Sequence, residues 1–228
     1  MKHIIPFGLA TVVALSLGAI QAQAQSVTFN FSDATADGFV NGGFSSSPAS
    51  TVVNIGGNNY ISIPIGGFQV ANVNSGTVSG TPAATFNSAY FAALNNPAGY
   101  DLSYNYYIDT STFTTSGTYL QVGAFVNPGS GYYNQEYGSP NGLQLNGTQV
   151  ASGSVFQGTV TVPFTVFGTD ANAATETSFR LGLIENGDGT GVKVNFTDIS
   201  ITPVPEPTTL ALVGFGAAGL LAFRRRKA

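Results

Sequence analysis

Along most of the chain, apolar and polar side chains trade places every second residue. Val27, Phe29 and Phe31 alternate with Thr28, Asn30 and Ser32, and Ile61, Ile63 and Ile65 share one face. Leu102, Tyr104, Tyr106 and Ile108 do the same, as do Leu120, Val122, Ala124 and Val126. The beat returns at Val160, Val162 and Phe164, and at Phe179, Leu181 and Leu183. Side chains on an extended strand point alternately to its two faces, so each run predicts a strand with one buried face. Gly, Asn, Pro and Ser clusters bound the runs, which is turn chemistry. About ten short strands result, the pattern of an all-β, antiparallel β-sandwich.

Two stretches break the beat. Residues 83–95 carry Phe86, Tyr90 and Leu94 at helical spacing, so strand and helix both fit. Near the end, Val192, Val194 and Phe196 keep one phase, while Ile199 and Ile201 are one residue out of step. A β-bulge near Thr197-Asp198 returns both sets to a common inward face. The preceding glycine-rich segment, residues 185–191, reads as a hairpin turn.

The ends follow other rules. Met1-Lys2-His3 leads into the apolar stretch Ile4–Ile20 and then Gln21-Ala22-Gln23-Ala24-Gln25. Ala22 and Ala24 form the small-x-small pattern that signal peptidase reads, which predicts cleavage after Ala24. At the other end, Thr202-Pro203-Val204-Pro205-Glu206-Pro207 is held extended, because proline fixes φ and removes donors. An apolar run, Leu210–Phe223, and the cations Arg224, Arg225, Arg226 and Lys227 follow. A helix over Thr208–Phe223 would be ~24 Å long, short of a ~30 Å hydrocarbon core unless the arginines snorkel. That reading makes it a single transmembrane helix with its basic end in the cytoplasm and the body outside. The predicted organisation is a signal peptide (1–24), a β-sandwich ectodomain (25–202) and a sorting tail (203–228).

Charge removes several functions. Only 8% of residues are charged, against about 25% in ordinary soluble domains. Between Gln25 and Pro203 ten acidic residues face two basic ones, Arg180 and Lys193, a net −8. Such a body cannot neutralise a phosphate backbone, which excludes nucleic acid as a partner. There is no cysteine, and the single histidine, His3, lies in the signal peptide. Imidazole bases, thiolate nucleophiles and His- or Cys-ligated metals are therefore absent from the body. Glu136, Glu176 and Glu185 are its only glutamates, and their spacing marks no carboxylate pair for glycoside hydrolysis. The expectation is a protein that is not an enzyme.

Binding chemistry is better represented. Gly131-Tyr132-Tyr133-Asn134-Gln135-Glu136-Tyr137-Gly138 reads as a glycine-bounded loop. Tyr132, Tyr133 and Tyr137 would offer planes for sugar rings there, with Gln135 and Glu136 for hydroxyls. Tyr100, Tyr104, Tyr106 and Tyr107 form a second cluster, in which a strand points Tyr104 and Tyr106 one way and Tyr107 the other. No cofactor is expected, apart from a structural calcium at Asp33, Asp37 and Asp198 if the first and last strands pair.

The tail, with Val204-Pro205-Glu206-Pro207, an apolar segment and a terminal arginine cluster in that order, resembles the PEP-CTERM sorting signal. The resemblance implies that Pro205, Glu206 and Pro207, with Arg224, Arg225 and Arg226, direct processing by an exosortase. It further implies transient anchoring in the inner membrane of a Gram-negative bacterium, then release to the cell surface or extracellular matrix. Carriers of such tails tend to accompany exopolysaccharide or biofilm, so exopolysaccharide is the implied partner. Residues 179–201, ending in Asn195-Phe196-Thr197-Asp198-Ile199-Ser200-Ile201, are similar to the closing hairpin of jelly-roll, carbohydrate-binding-module-like domains. The sequence therefore points first to an exported, non-catalytic surface or matrix protein. A glycan-specific binding module is the second reading, and a secreted glycoside hydrolase or lyase the third.

Overall fold

The computed structural model describes residues 26–41, 49–64, 67–74, 81–111, 119–128, 134–137, 143–146, 153–167, 179–187 and 193–205. The expected signal-peptide cleavage site (Ala22 and Ala24) and the tail beyond Pro205, with Glu206, Pro207, Arg224, Arg225, Arg226 and the expected transmembrane segment, lie outside these residues. No helix among the described residues is long and apolar enough to cross a membrane.

Among the described residues, twelve strands form two antiparallel sheets. The first sheet orders β10 (Val155–Pro163), β6 (Tyr100–Asp109), β12 (Lys193–Pro203), β4 (Asn58–Pro64) and β3 (Thr51–Ile55), with β1 (Val27–Phe29) also paired to β12. The second orders β2 (Val40–Asn41), β5 (Gly67–Asn74), β11 (Phe179–Gly187), β7 (Tyr119–Pro128) and β8 (Asn134–Tyr137), with β9 (Leu143–Asn146) also paired to β7. Several chain-consecutive strands pass from one sheet to the other, as β4 to β5, β6 to β7 and β11 to β12. This is the sandwich that the alternation predicts, built with jelly-roll-like crossings.

The inward positions are those of the period-2 runs. Ile61, Leu102, Tyr104, Ile108, Val122, Leu181, Leu183, Val194 and Phe196 are wholly buried between the sheets. The β3–β4 hairpin closes through Gly56-Gly57 at φ of +61° and +93°, the left-handed pair that a tight two-residue turn requires.

Residues 81–95 resolve as a helix, α1 (Thr81–Asn95). Ala83, Phe86, Tyr90 and Ala93 form its buried stripe, and Leu94 is half-buried beside them. Phe86 meets Phe29 edge-on at 5.3 Å and stacks on Tyr90 at 5.2 Å. The Tyr90 hydroxyl, buried with its ring, donates to the Arg180 carbonyl at 2.6 Å, tying the helix to β11.

The bulge expected near Thr197-Asp198 is present. Thr197 pairs with Asn105 and Ser200 with Ser103, so Asp198 and Ile199 together oppose Tyr104. Asp198 takes φ +50° and stays exposed, while Phe196 and Ile199 both reach the core. The extra residue also changes partners: β12 pairs with β4 before the bulge and with β1 after it.

One connection corrects the expectation. Residues 185–191 do not close a hairpin, because β11 pairs with β5 and β7 whereas β12 pairs with β6, β4 and β1 in the other sheet. The chain therefore leaves the second sheet at Gly187 and enters the first at Lys193. Glycine-rich composition suits a tight turn and an arc between sheets equally.

Candidate functional site

The outer face of the first sheet carries an open recess. Odd-numbered residues of β6, and those of β12 before the bulge, point away from the core, as do the even-numbered residues of β4 and the odd-numbered residues of β3 opposite them. There Val53 and Ile55 of β3, Ser62 of β4, Tyr107 and Asp109 of β6, and Lys193 and Asn195 of β12 line a groove of about 330 Å³. The Tyr60 ring stands 6.2 Å from that of Tyr107 on the same face, tilted by 52°. Asn195 pairs with both Ser62 and Tyr107 in register, placing it at the middle of the floor.

Its polar groups differ in freedom. Asn195 is buried and donates from Nδ2 to the Tyr107 carbonyl at 3.0 Å, which fixes its amide. The Ser62 hydroxyl is buried and has no hydrogen-bond partner among the described residues. An unmade bond of that kind costs ~1–3 kcal/mol, so a water or ligand group entering the groove is favoured to supply it. Asp109 accepts from the Ser111 side chain and backbone, and those bonds hold its carboxyl below the usual range. Lys193 is exposed at the rim. Aliphatic walls, a half-buried tyrosine face and a few convergent donors and acceptors suit a ligand that is amphipathic and rich in hydroxyls.

A polar ladder continues the surface toward β10. The Asn105 amide donates to the Asp198 carboxylate at 2.8 Å and accepts from the Thr159 hydroxyl at 2.6 Å. Ser103 donates to the Val160 carbonyl and lies 3.0 Å from the Thr161 hydroxyl.

The residues singled out from the sequence fare unevenly. Tyr104 is core, with burial raising its pKa, and Tyr106 lies over Gly158; Tyr107 alone of that run reaches the groove. Tyr132 and Tyr133 lie outside the described residues. Asn134–Tyr137 is not a loop: it is the edge strand β8, with Gln135, Glu136 and Tyr137 opposite Phe125, Ala124 and Gly123. A four-residue strand between glycines carries too little alternation to be told from a loop.

The calcium trio does not assemble either. β1 does pair with β12, but Asp33 and Asp37 share the Thr35 hydroxyl, at 2.8 and 3.0 Å, while Asp198 binds Asn105. No three His, Cys, Asp or Glu come together among the described residues. The bulge that brings Ile199 inward leaves Asp198 exposed in the Asn105 ladder. Bonds from Thr35 lower the pKa of Asp33, whereas desolvation and then the Asp33 charge raise that of Asp37.

The groove itself escaped the sequence reading. Its lining comes from the β3–β4 hairpin and from two strands far from it in the chain, β6 and β12, and the one signal was outward-facing polar or aromatic residues in otherwise apolar runs, such as Tyr60, Ser62 and Asn195.

No curated protein matches the chain in sequence. Among solved structures, a carbohydrate-binding module specific for non-crystalline cellulose is similar at 14% identity and TM-score 0.46, covering 75% of this chain and 91% of its own. A family 30 carbohydrate-binding module aligns at 11% and 0.43, covering 79% and 89%. The Caldicellulosiruptor saccharolyticus CBM27-1 module, solved with mannohexaose, aligns at 11% and 0.41, covering 77% and 95%. Likenesses at this level say nothing of what this chain binds. The tail is more specific: residues 203–227 match the PEP-CTERM protein-sorting motif, so the chain ends in a PEP-CTERM sorting signal.

Proposed function

We propose that this is an exported, non-catalytic surface protein, processed at the inner membrane by an exosortase, whose sandwich holds extracellular polysaccharide in the groove of its first sheet. Organisation follows: residues 1–24 are removed on export, residues 25–202 form the ectodomain, and the 203–228 tail anchors the chain until it is cut. The sorting half is supported by the tail motif at residues 203–227. The binding half is supported by one observation above all: the buried Ser62 hydroxyl, without a partner among the described residues, lies across Asn195 from the half-buried Tyr107 in one groove. A sugar ring laid on Tyr107 would cover the aromatic plane with its C–H face and present hydroxyls to Ser62, Asp109, Lys193 and Asn195. Exopolysaccharide of the host's own matrix is the proposed ligand.

The test is affinity electrophoresis through gels cast with host exopolysaccharide, comparing the ectodomain with its Tyr107→Ala and Tyr132→Ala variants. Retardation lost in Tyr107→Ala and kept in Tyr132→Ala supports the groove. Retardation lost only in Tyr132→Ala moves the site to the 132–137 segment, and no retardation of any form refutes glycan binding.

A further inference from the structure

We infer that the processing enzyme reads the sorting signal on the closed sandwich, beginning at Pro205, with Pro203 kept as the end of strand β12 and Val204 kept on its bond to Gly99. The inference rests on the exosortase reading above. The match to the motif begins at Pro203, yet β12 also ends at Pro203, so signal and fold overlap. Thr202 and Pro203 pair with Asp101 and Tyr100, and the Val204 N–H donates to the Gly99 carbonyl at 2.8 Å. That acceptor is itself fixed. Gly99 lies in the 3-10 turn Pro97–Gly99, its N–H bonded to the Asn96 carbonyl at 2.9 Å, and the Tyr100 N–H bonds to Pro97. Peeling the strand back past Pro203 would give up the Val204 bond and uncover Tyr100, which is 7% exposed.

Beyond Val204 nothing among the described residues holds the backbone, and Pro205 is exposed. Five residues lie between Val204 and Leu210, where the apolar segment begins, so six Cα-to-Cα steps join the two. They span at most ~20 Å when extended. An enzyme embedded in the bilayer that grips Pro205-Glu206-Pro207 must therefore approach the Pro97–Gly99 end of the sandwich. The surface it meets is a strand end already ordered by the fold, so no ordering entropy is spent on Pro203 and Val204 at docking.

A cross-strand lock tests this in the full chain in its native host. Asp101 and Thr202 are directly opposed, and the natural chain has no cysteine to compete. An Asp101→Cys/Thr202→Cys variant pins β12 closed when oxidised. Ser103→Cys/Ser200→Cys, the opposed pair two residues along, serves if the first bond does not form. Pulse-chase with intact-mass analysis follows tail removal from locked and unlocked chains. The expected half-time for the locked chain is within about twofold of the unlocked one, since strand ends that fray cost little to hold. A slowing of about tenfold or more that reductant reverses overturns the inference, because it means β12 must open before the signal is read. The exosortase-deficient strain separates the two claims. Tail loss there from the unlocked chain overturns the sorting reading itself, whatever the lock does.

Discussion

Gly182 gives the sharpest test of the packing. It sits in β11 between Asn72 and Phe125, and the Phe125 ring lies over it on the outer face of the second sheet. A Cβ added at Gly182 would fall 2.1 Å from Phe125 Cε1, 2.4 Å from Cζ and 2.9 Å from Cδ1. Carbon atoms settle at ~3.5–4.0 Å, so in Gly182→Ala the ring must retreat by about 1.5 Å. It cannot do so freely, because Phe125 packs with the buried Val70 and Ile184. Overpacking of this kind costs ~1–3 kcal/mol, offset by up to ~1 kcal/mol as the unfolded chain loses freedom. The expected net loss is about 1–2 kcal/mol, a fall in Tm of roughly 2–8 °C for a domain of this size. Calorimetry on the ectodomain measures it. A double-mutant cycle with Phe125→Ala isolates the cause. Phe125→Ala alone should cost ~3–5 kcal/mol, and adding Gly182→Ala to it should cost almost nothing further. An unchanged Tm in Gly182→Ala, or additive losses in the pair, would refute the reasoning.

Asp37→Asn should raise Tm at pH 7 and leave it nearly unchanged at pH 3, read by calorimetry at both values. Burial and the neighbouring Asp33 raise the folded pKa of Asp37, so its stability is fullest below the unfolded value of 3.8 and is lost as pH rises through the folded pKa. Asn removes that charge and also accepts the left-handed φ of +48°. Asp33 runs the other way: its depressed pKa stabilises the fold above 3.8, a contribution that fades as pH falls through the folded value. Tyr90→Phe deletes the hydrogen bond to Arg180 and should lower stability by ~0.5–1.5 kcal/mol in urea titration, with no change in the m-value. At the bulge, Asp198→Val should cost ~1–3 kcal/mol because a β-branched residue is strained at φ +50°, while Asp198→Gly should cost less. Equal losses in those two urea midpoints would place the penalty in the Asn105 bond instead.

Alternation in the chain carries inside and outside faithfully, and carries pairing poorly. The half-step between Phe196 and Ile199 exposed the bulge because every inward position on β12 must reach one core. The helix stayed ambiguous because Phe86 and Tyr90 are both aromatic, a composition that favours strands; burial of Ala83, Ala89 and Ala93 beside them is what fixes the helical stripe. The crossing after Gly187 was misread because loop composition does not name the partner of the following strand. The Tyr132–Tyr137 segment stands out by its density of rings, yet four of its six residues are edge strand. The groove was hidden for the same reason as the pairing. Ser62, Tyr107 and Asn195 become neighbours only through the register of β4, β12 and β6.

The position of β12 has a mechanical consequence. The strand that leads into the tail is not at an edge: β6 runs along one side of it, and β4 and then β1 along the other. A pull applied at the C-terminus acts along the strand axis, across hydrogen bonds that lie perpendicular to it in an antiparallel sheet. The bonds to three neighbours are then sheared together rather than unzipped one after another. Two groove residues, Lys193 and Asn195, stand on this same strand. Drag on a polymer held there would reach the C-terminus through a single sheet, leaving the second sheet and the core between them unstrained.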